Sequence, residues 1–344
     1  MAGSAGLWGV QRGEFTLGVQ TEERTMKSTL KMAMATALLG SAIGLASPAL
    51  ADFPEKPVEM TILFGGSAQT VGQILADGMS KALGSPVVAV SRPGGGGAIG
   101  YSHVNGTDAD GYSIVWNSNS ISTVHYQGNI PFDYKAFAPI ARIGSEVPVL
   151  AVSTKSGWTD LKSMAEAAKA KGQPLKVGVS GLGSFTHLAA AALFDKLGVK
   201  VVYIPYGEGR APAELLAGRV DAAIQWPGQF IPHVQNNTIA MLCSTGMEKI
   251  AIEIDVPTCH EAGATDLNVT MWRGLAAPAG TPDDVIAKLQ DAAKATVEDE
   301  AFANAARNLG FEPGFLPAAE FGELIASDDA VISELMTTLG LKNK

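Results

Sequence analysis

The sequence predicts an α/β protein made of two lobes. Its 344 residues suit two domains of ordinary size better than one. From residue 58 onward, short β-rich runs alternate with segments of helical periodicity, a pattern typical of βαβ units and mainly parallel sheets. Hydrophobic residues make up 47% of the chain and charged residues 17%, a composition that can bury a large core.

The first predicted lobe opens with a strand, a glycine-rich loop and a helix. Val58–Phe64 is the predicted strand, and the Gly65–Ser67 segment turns the chain. Thr70–Leu83 follows as a helix, because its apolar residues recur every three or four positions and Gly84 supplies a C-terminal stop. Two further strands are predicted at Val87–Val90 and Tyr112–Trp116.

The apolar segment Pro148–Ser153 is predicted to carry the chain into a second lobe, and Met241–Ser244 to return it. The elements between them are helix Trp158–Lys171, strand Leu175–Val179, loop Ser180–Thr186, helix His187–Leu197, strand Val199–Ile204, helix Ala211–Leu216 and strand Ala222–Gln225. Helices are predicted in the tail near Pro282–Glu298, Glu300–Leu309 and Ala318–Leu335. We therefore assign residues 52–150 and 245–344 to lobe 1, and residues 151–244 to lobe 2.

Residues 26–51 have the pattern of a secretory signal peptide. Two lysines follow Met26, an apolar run covers residues 32–46, and Ala49-Leu50-Ala51 resembles a cleavage site. We expect cleavage near Ala51 and a periplasmic protein; an uncleaved anchoring helix is the less favoured alternative. Residues 1–25 lack both the charged and the apolar region, so they are predicted to be an upstream extension, with translation starting at Met26.

The charge of the chain disfavours polyanionic partners. Residues 1–51 hold four bases and three acids, so the rest carries 21 bases and 31 acids, a net charge near −10. A strongly acidic protein is repelled by nucleic acid and by anionic membrane surfaces, whereas one pocket can still attract a small anion. We therefore expect no nucleic-acid partner. We also expect the protein to be a monomer.

The sequence predicts no metal site or cofactor. Its five histidines and two cysteines have none of the spacings typical of zinc ligands. Cys243 and Cys259 form either one disulfide, as an oxidising compartment would permit, or two buried thiols.

Two motifs that resemble enzyme signatures are incomplete. Gly95–Gly100 matches G-x-G-x-x-G, but no acidic residue follows about 20 positions later to bind a ribose, so a tight turn is the better interpretation. Gly178–Leu182 lacks the closing glycine of a nucleophile elbow, and His187 lies too close to serve as a separate catalytic base. A hydrolase using Ser180 and His187 remains the alternative to a binding protein.

Two loops are suited to bind an anion. Each follows a predicted strand and enters a helix, where free backbone N–H groups and the helix dipole favour a negative charge. They are Gly65–Gln69 and Ser180–His187. If each lies at the carboxyl end of a strand in its own lobe, the two face one crevice, where open α/β sheets bind ligands.

Ordered motifs give the chain a resemblance to a known family. They are Arg92–Gly97, Asp110–Tyr112, Ile130–Asp133, Phe137–Pro139, Ile204–Tyr206, Gly218–Asp221, Asp255–Thr258, Glu261–Gly263 and Ala277–Pro282. In this order they resemble the periplasmic solute receptors of tripartite tricarboxylate transporters, also called the Bug family. The resemblance covers about residues 53–340.

The resemblance implies a type II periplasmic-binding-protein fold, with two α/β lobes joined by two crossing segments around a ligand cleft. It also implies a receptor without enzymatic activity that delivers a small carboxylate to a two-subunit membrane permease driven by an ion gradient. A receptor that feeds a signalling pathway is the alternative. Backbone amides of the two loops would hold the carboxylate, through Gly65, Gly66, Ser67, Ala68 and Gln69, and Ser180, Gly183, Ser184, Phe185, Thr186 and His187.

The chain departs from the family at two positions that are commonly acidic. Gln69 stands where the first loop usually ends in aspartate, and Gln225 stands at the second position. Because a buried carboxylate suits a ligand ammonium and an amide does not, we expect a ligand that is not an α-amino acid.

Five further residues are predicted contacts around the crevice. Ser118 and Asn119 follow the third strand, and Phe64 precedes the first loop. Tyr206 and Trp226 are aromatic, and Trp226 either stacks on a flat ligand such as an aromatic carboxylate or belongs to the core.

Overall fold

A computed structural model describes residues 53–207, 209–250 and 252–343. The predicted signal peptide and upstream extension lie outside this part of the chain. None of the helices within it is both long and apolar enough to span a bilayer.

The first sheet has six strands in the order β11-β4-β10-β3-β1-β2. They are β1 Val58–Ile62, β2 Val87–Ser91, β3 Ser113–Ser118, β4 Phe137–Glu146, β10 Met271–Pro278 and β11 Phe311–Pro317. Strand β1 pairs in parallel with β2 and β3, whereas β10 lies antiparallel between β3 and β4. The parallel unit places the carboxyl ends of β1 and β3 at one edge of the sheet.

The second sheet has five strands in the order β7-β6-β8-β5-β9. They are β5 Val149–Ser153, β6 Leu175–Val179, β7 Val201–Pro205, β8 Ala222–Gln225 and β9 Ile239–Ser244. Strand β6 pairs in parallel with β7 and β8, and β5 is antiparallel to both of its neighbours. Both sheets are therefore mixed. The expectation of mainly parallel sheets was wrong, because β5 and β10, the strands by which the chain enters each sheet from the other, run antiparallel to both of their neighbours.

Ten α-helices cover the sheets in the part of the chain that the model describes. They are α1 Gly66–Leu83, α2 Ala98–Asn105, α3 Ser120–Tyr126, α4 Leu161–Lys171, α5 Phe185–Leu197, α6 Ala211–Leu216, α7 Ile231–Gln235, α8 Asp283–Val297, α9 Glu300–Arg307 and α10 Ala318–Thr338. Helix α1 begins four residues before the predicted Thr70, and α5 begins at Phe185 instead of His187. Parts of both predicted loops are thus first turns of helices.

The chain passes from the first sheet to the second between Glu146 and Val149, and returns between Ser244 and Met271. Residues of the returning segment, such as Cys259 and Leu267, still pack in the core of the second sheet. We propose that lobe 2 extends to about residue 269, beyond the predicted boundary at Ser244.

Cys243 and Cys259 form a disulfide, the first of the two alternatives that the sequence left open. It joins the end of β9 to the returning segment, and both cysteines are buried. The disulfide therefore fixes one of the two connections to the core of lobe 2.

Candidate ligand-binding site

A cavity of about 570 Å³ lies between the two sheets and is lined from both. The predicted residues that line it are Phe64, Gly65, Gln69, Ser180, Ser184, Phe185, Thr186 and Trp226. The structure thus brings together residues that are more than 100 positions apart in the sequence, and each sheet supplies one of the two predicted loops.

The first loop reaches the cavity as the start of helix α1. Gly65 is its N-cap, no side chain caps the free amides, and no acidic residue stands in the first turn. Gly66 has a φ of +65°, which favours glycine at this bend. The helix therefore presents uncapped N–H groups at its positive end, beside the lining residues Gly65 and Gln69.

Other residues of this loop hold the turn in place. The Ala68 carbonyl accepts a hydrogen bond from Trp116 Nε1 at 3.0 Å, and the buried Ser67 hydroxyl has no hydrogen-bond partner among the described residues. Gly66, Ser67 and Ala68 are absent from the described lining of the cavity. Ser67 and Ala68 are buried in the first turn of α1.

The second loop reaches the cavity as the start of helix α5. Ser184 is the N-cap, and its hydroxyl accepts a hydrogen bond from the His187 amide at 3.3 Å. Thr186 Oγ1 lies 3.0 Å from Ser184 Oγ and accepts from the Ser180 amide at 3.0 Å. These bonds pull the loop into a compact turn and leave Ser180, Ser184 and Thr186 in the lining.

His187 supports this turn from behind. Its Nδ1 accepts a hydrogen bond from the Gly183 amide at 2.8 Å. Its ring packs edge-on against the ring of Tyr203, with the two centroids 4.4 Å apart. Burial lowers the pKa of the imidazole, so the neutral form that can accept this bond is favoured. Neither His187 nor Gly183 belongs to the described lining. Gly183 instead accepts a hydrogen bond from Gln127 of the first lobe.

Gln225 holds Ser180 and does not itself line the cavity in the described part of the chain. Ser180 Oγ donates to Gln225 Oε1 at 3.1 Å, and Gln229 Nε2 donates to the same oxygen at 3.3 Å. Ser180 therefore pairs with an amide, and the hydrogen bonds of the described residues do not connect it to His187. In the described residues, Ser180 and His187 therefore do not form the nucleophile–base contact that the hydrolase alternative assigns to them.

Three other predicted contacts lie behind the cavity wall. Ser118 and Asn119 are fully buried: Ser118 Oγ lies 2.7 Å from Ser120 Oγ, and Asn119 Nδ2 donates to the Thr270 carbonyl at 3.1 Å. Tyr206 packs half-buried against the apolar cluster beside β8. Among the described lining residues, their neighbours Ser120 and Gly207 are present in their place.

A glycine turn that sequence reasoning took only as a tight bend also lines the cavity. Gly94, Gly95, Gly96 and Gly97 all have positive φ, and all four are lining residues. A Cβ on Gly97 would lie 3.0 Å from Tyr101 Cε2 and 3.3 Å from Phe64 Cζ. The run of glycines was the available signal, because only glycine allows this backbone so close to a cavity wall.

Arg273 on strand β10 lines the cavity and was missed. The side chain is 1% exposed, and its Nε donates to Glu146 Oε2 at 2.6 Å. Its guanidinium carbon lies 5.3 Å from the centroid of the Phe64 ring and 5.5 Å from that of the Trp226 ring. One buried cation thus contacts aromatic residues of both lobes.

For Trp226 the sequence left open a place in the core and stacking on a flat ligand, and the second stays a prediction. It belongs to the core cluster of the second sheet and also lines the cavity. Its ring stacks on Phe185 with a centroid distance of 6.3 Å and an interplanar angle of 13°. The two rings form a flat apolar wall.

Comparison with known proteins places this arrangement in a family. A model of the tripartite tricarboxylate transporter family receptor matches residues 71–341. BugT of Bordetella pertussis is 28% identical over 278 residues, covering 78% of this chain and 85% of that protein. A UPF0065 protein of Agrobacterium vitis is 29% identical over 270 residues, covering 76% and 77% of the two chains.

Solved structures show the same fold. The periplasmic binding protein BugD is 27% identical with a TM-score of 0.76, and the match covers 84% of this chain and 99% of that one. A TctC solute-binding protein from Polaromonas is 27% identical with a TM-score of 0.66, covering 83% and 99%. The prediction of a two-lobed periplasmic-binding-protein fold is confirmed. The chain belongs to the tripartite tricarboxylate transporter receptor family, a family of periplasmic solute-binding proteins.

Proposed function

We propose that this protein is an exported receptor that captures a small organic carboxylate between its lobes and delivers it to a two-subunit membrane permease. One observation carries the proposal. Helices α1 and α5 belong to different lobes, and the starts of both border the same cavity. The first turn of α1 has no side-chain cap, and in α5 the Ser184 cap takes only the His187 amide, so both helices keep first-turn amides that can donate to a carboxylate. A ligand that contacts both helix starts would stabilise the closed arrangement of the lobes.

The composition of the cavity wall supports a ligand without an ammonium group. The described lining contains no aspartate or glutamate, and Gln69 is an amide. An α-ammonium would therefore lose its hydration without gaining a charged partner. Two structures of this fold, at 24% and 22% identity, hold adipate and malate, which are carboxylates without an amino group. These ligands belong to those proteins and serve here to choose probes.

A thermal-shift screen of the exported protein tests the proposal. The probes are dicarboxylates, tricarboxylates, aromatic carboxylates, and aspartate and glutamate as amino-acid controls. We expect at least one carboxylate to raise the melting temperature progressively, with the logarithm of its concentration above the dissociation constant, and to be recovered unchanged after incubation. Stabilisation by aspartate or glutamate alone, or conversion of the bound compound to a product, would contradict it.

Delivery to a permease is tested in the cell. Uptake of the labelled carboxylate from the screen should fall to background when either the receptor gene or the two permease genes are deleted. Normal uptake in the permease deletion, with loss of a transcriptional response to the carboxylate in the receptor deletion, would instead favour the signalling alternative.

N-terminal sequencing of the exported protein tests the signal peptide. Cleavage after Ala51 makes Asp52 the first residue.

A further inference from the structure

Arg273 is the one charged side chain among the described residues that line the cavity. Burying an unpaired guanidinium is unfavourable, and here Glu146 compensates the charge from behind the wall. The two buried charges therefore neutralise each other, but the pair does not use all of the donors of Arg273.

The contacts of Arg273 leave a donor free. Nε is occupied by Glu146, and the Phe64 and Trp226 rings lie near the guanidinium. Nη1 is buried and has no hydrogen-bond partner among the described residues. A buried donor without an acceptor is uncommon in folded proteins, because burial removes its hydrogen bonds to water and nothing replaces them.

Much of the rest of the described lining is apolar. The large apolar side chains of the wall are Leu63, Phe64, Leu182, Phe185, Trp226 and Met271. A ligand that fills the cavity would thus have an apolar body between its polar ends.

We infer that Arg273 is a second anchor for the ligand, and that the receptor selects dicarboxylates with an apolar spacer. This inference rests on the proposed function, which assigns the first carboxylate to the starts of α1 and α5. The second carboxylate accepts from the guanidinium of Arg273, while Glu146 holds this group in place through Nε. A monocarboxylate of the same carbon skeleton leaves the guanidinium without an acceptor on the ligand and binds more weakly.

Matched pairs of probes test this inference by calorimetry: adipate against hexanoate, and terephthalate against benzoate. For at least one pair, we expect the wild-type protein to bind the dicarboxylate about 10- to 100-fold more tightly, the range for a charge-assisted hydrogen bond. The double variant Arg273→Gln with Glu146→Gln removes both charges together, so neither is left buried alone. It should lose most of this preference, measured as the ratio of the two dissociation constants.

Arg142→Gln is the matched control, because Arg142 donates to the Gly314 carbonyl and is absent from the described lining. It should keep the wild-type preference. Equal binding of the two members of both pairs by the wild-type protein, or an unchanged preference in a folded double variant, would overturn the role of Arg273 and leave the receptor proposal intact. Failure of every carboxylate to bind would overturn both.

Discussion

His187 is a buried titratable side chain whose protonation opposes the fold. The neutral imidazole accepts the Gly183 amide, and burial lowers its pKa below the usual value. The unfolded chain takes up the proton as the pH falls through the ordinary histidine pKa, about 6.5, whereas the folded chain resists it. The stability that depends on neutral His187 is therefore present above that pH and is lost as the pH falls below it.

Replacing His187 with glutamine removes this linkage. Between pH 7.5 and 5.0, we expect the free energy of unfolding of the wild-type protein to fall more steeply than that of His187→Gln. The difference in slope is at most about 1.4 kcal/mol per pH unit, the limit for one proton. Urea denaturation of both proteins at several pH values measures it. Parallel pH profiles would show that His187 is not protected from protonation.

Gly97 is the glycine whose replacement should disturb the cavity most. At φ +105° a side chain is strained, and a Cβ would press on Tyr101 and Phe64. We expect Gly97→Ala to cost more than about 2 kcal/mol of stability. Gly172→Ala is the control: its φ is +67° with nothing within 4 Å, so the left-handed backbone alone should cost about 1 kcal/mol. Equal losses of unfolding free energy in the two variants, measured by denaturant unfolding, would contradict the close contacts of Gly97 with Tyr101 and Phe64.

The disulfide is the element that ties β9 to the returning segment. Its cysteines are 16 positions apart, and a loop of this size is expected to contribute about 3 kcal/mol by restricting the unfolded chain. The double variant Cys243→Ala with Cys259→Ala should lower the free energy of unfolding by roughly that amount. Thiol labelling of the unfolded wild-type protein is the control and should detect no free thiol in the described part. Two labelled thiols per chain would contradict the bond.

The three C-terminal helices were predictable from sequence, but several strands were not. Apolar periodicity and helix stops placed α8, α9 and α10 within a few residues. Strand β10 is buried on both faces and so lacks the alternation of a half-exposed strand, while prolines and a glycine interrupt β11. The place of Arg273 follows from the antiparallel insertion of β10 between β3 and β4, a long-range pairing that no local pattern records.

The two loops that supply residues to the cavity were predictable because their sequence signals are local. In each, a predicted strand is followed by glycine or serine and then by helical periodicity, and this order indicates a helix start. The family resemblance added the expectation that the two loops face each other. The supporting roles of Gln225 and His187 depend on hydrogen bonds to Ser180 and Gly183, which only the folded backbone brings within reach.

At the scale of the whole molecule, helix α10 packs on both lobes. Phe321 and Ile325 in its first half belong to a core cluster of the first sheet, whereas Ile332 and Met336 belong to that of the second. Side-chain bonds add to this packing, since Asp328 accepts from Trp272 Nε1 at 2.9 Å and Asp329 accepts from the Tyr126 hydroxyl at 2.7 Å. The C-terminal helix thus couples the lobes in addition to the two chain crossings.

Met336→Ala tests this coupling. The side chain is buried in the lobe 2 cluster, so we expect a loss of about 2–5 kcal/mol in the free energy of unfolding. Val331→Ala on the same helix is the control, because Val331 is 58% exposed and should change stability by no more than about 0.5 kcal/mol. A Met336→Ala protein as stable as the control would show that the end of α10 contributes little to lobe 2.

In the proposed binding mode, the starts of α1 and α5 hold one carboxylate together. A crystal structure of the protein with the tightest-binding carboxylate from the thermal-shift screen tests this binding mode. We expect one carboxylate of the ligand within hydrogen-bond distance of backbone amides in both Gly65–Gln69 and Ser180–His187. A ligand that contacts only one of these segments, or that binds outside the cavity, would contradict the account.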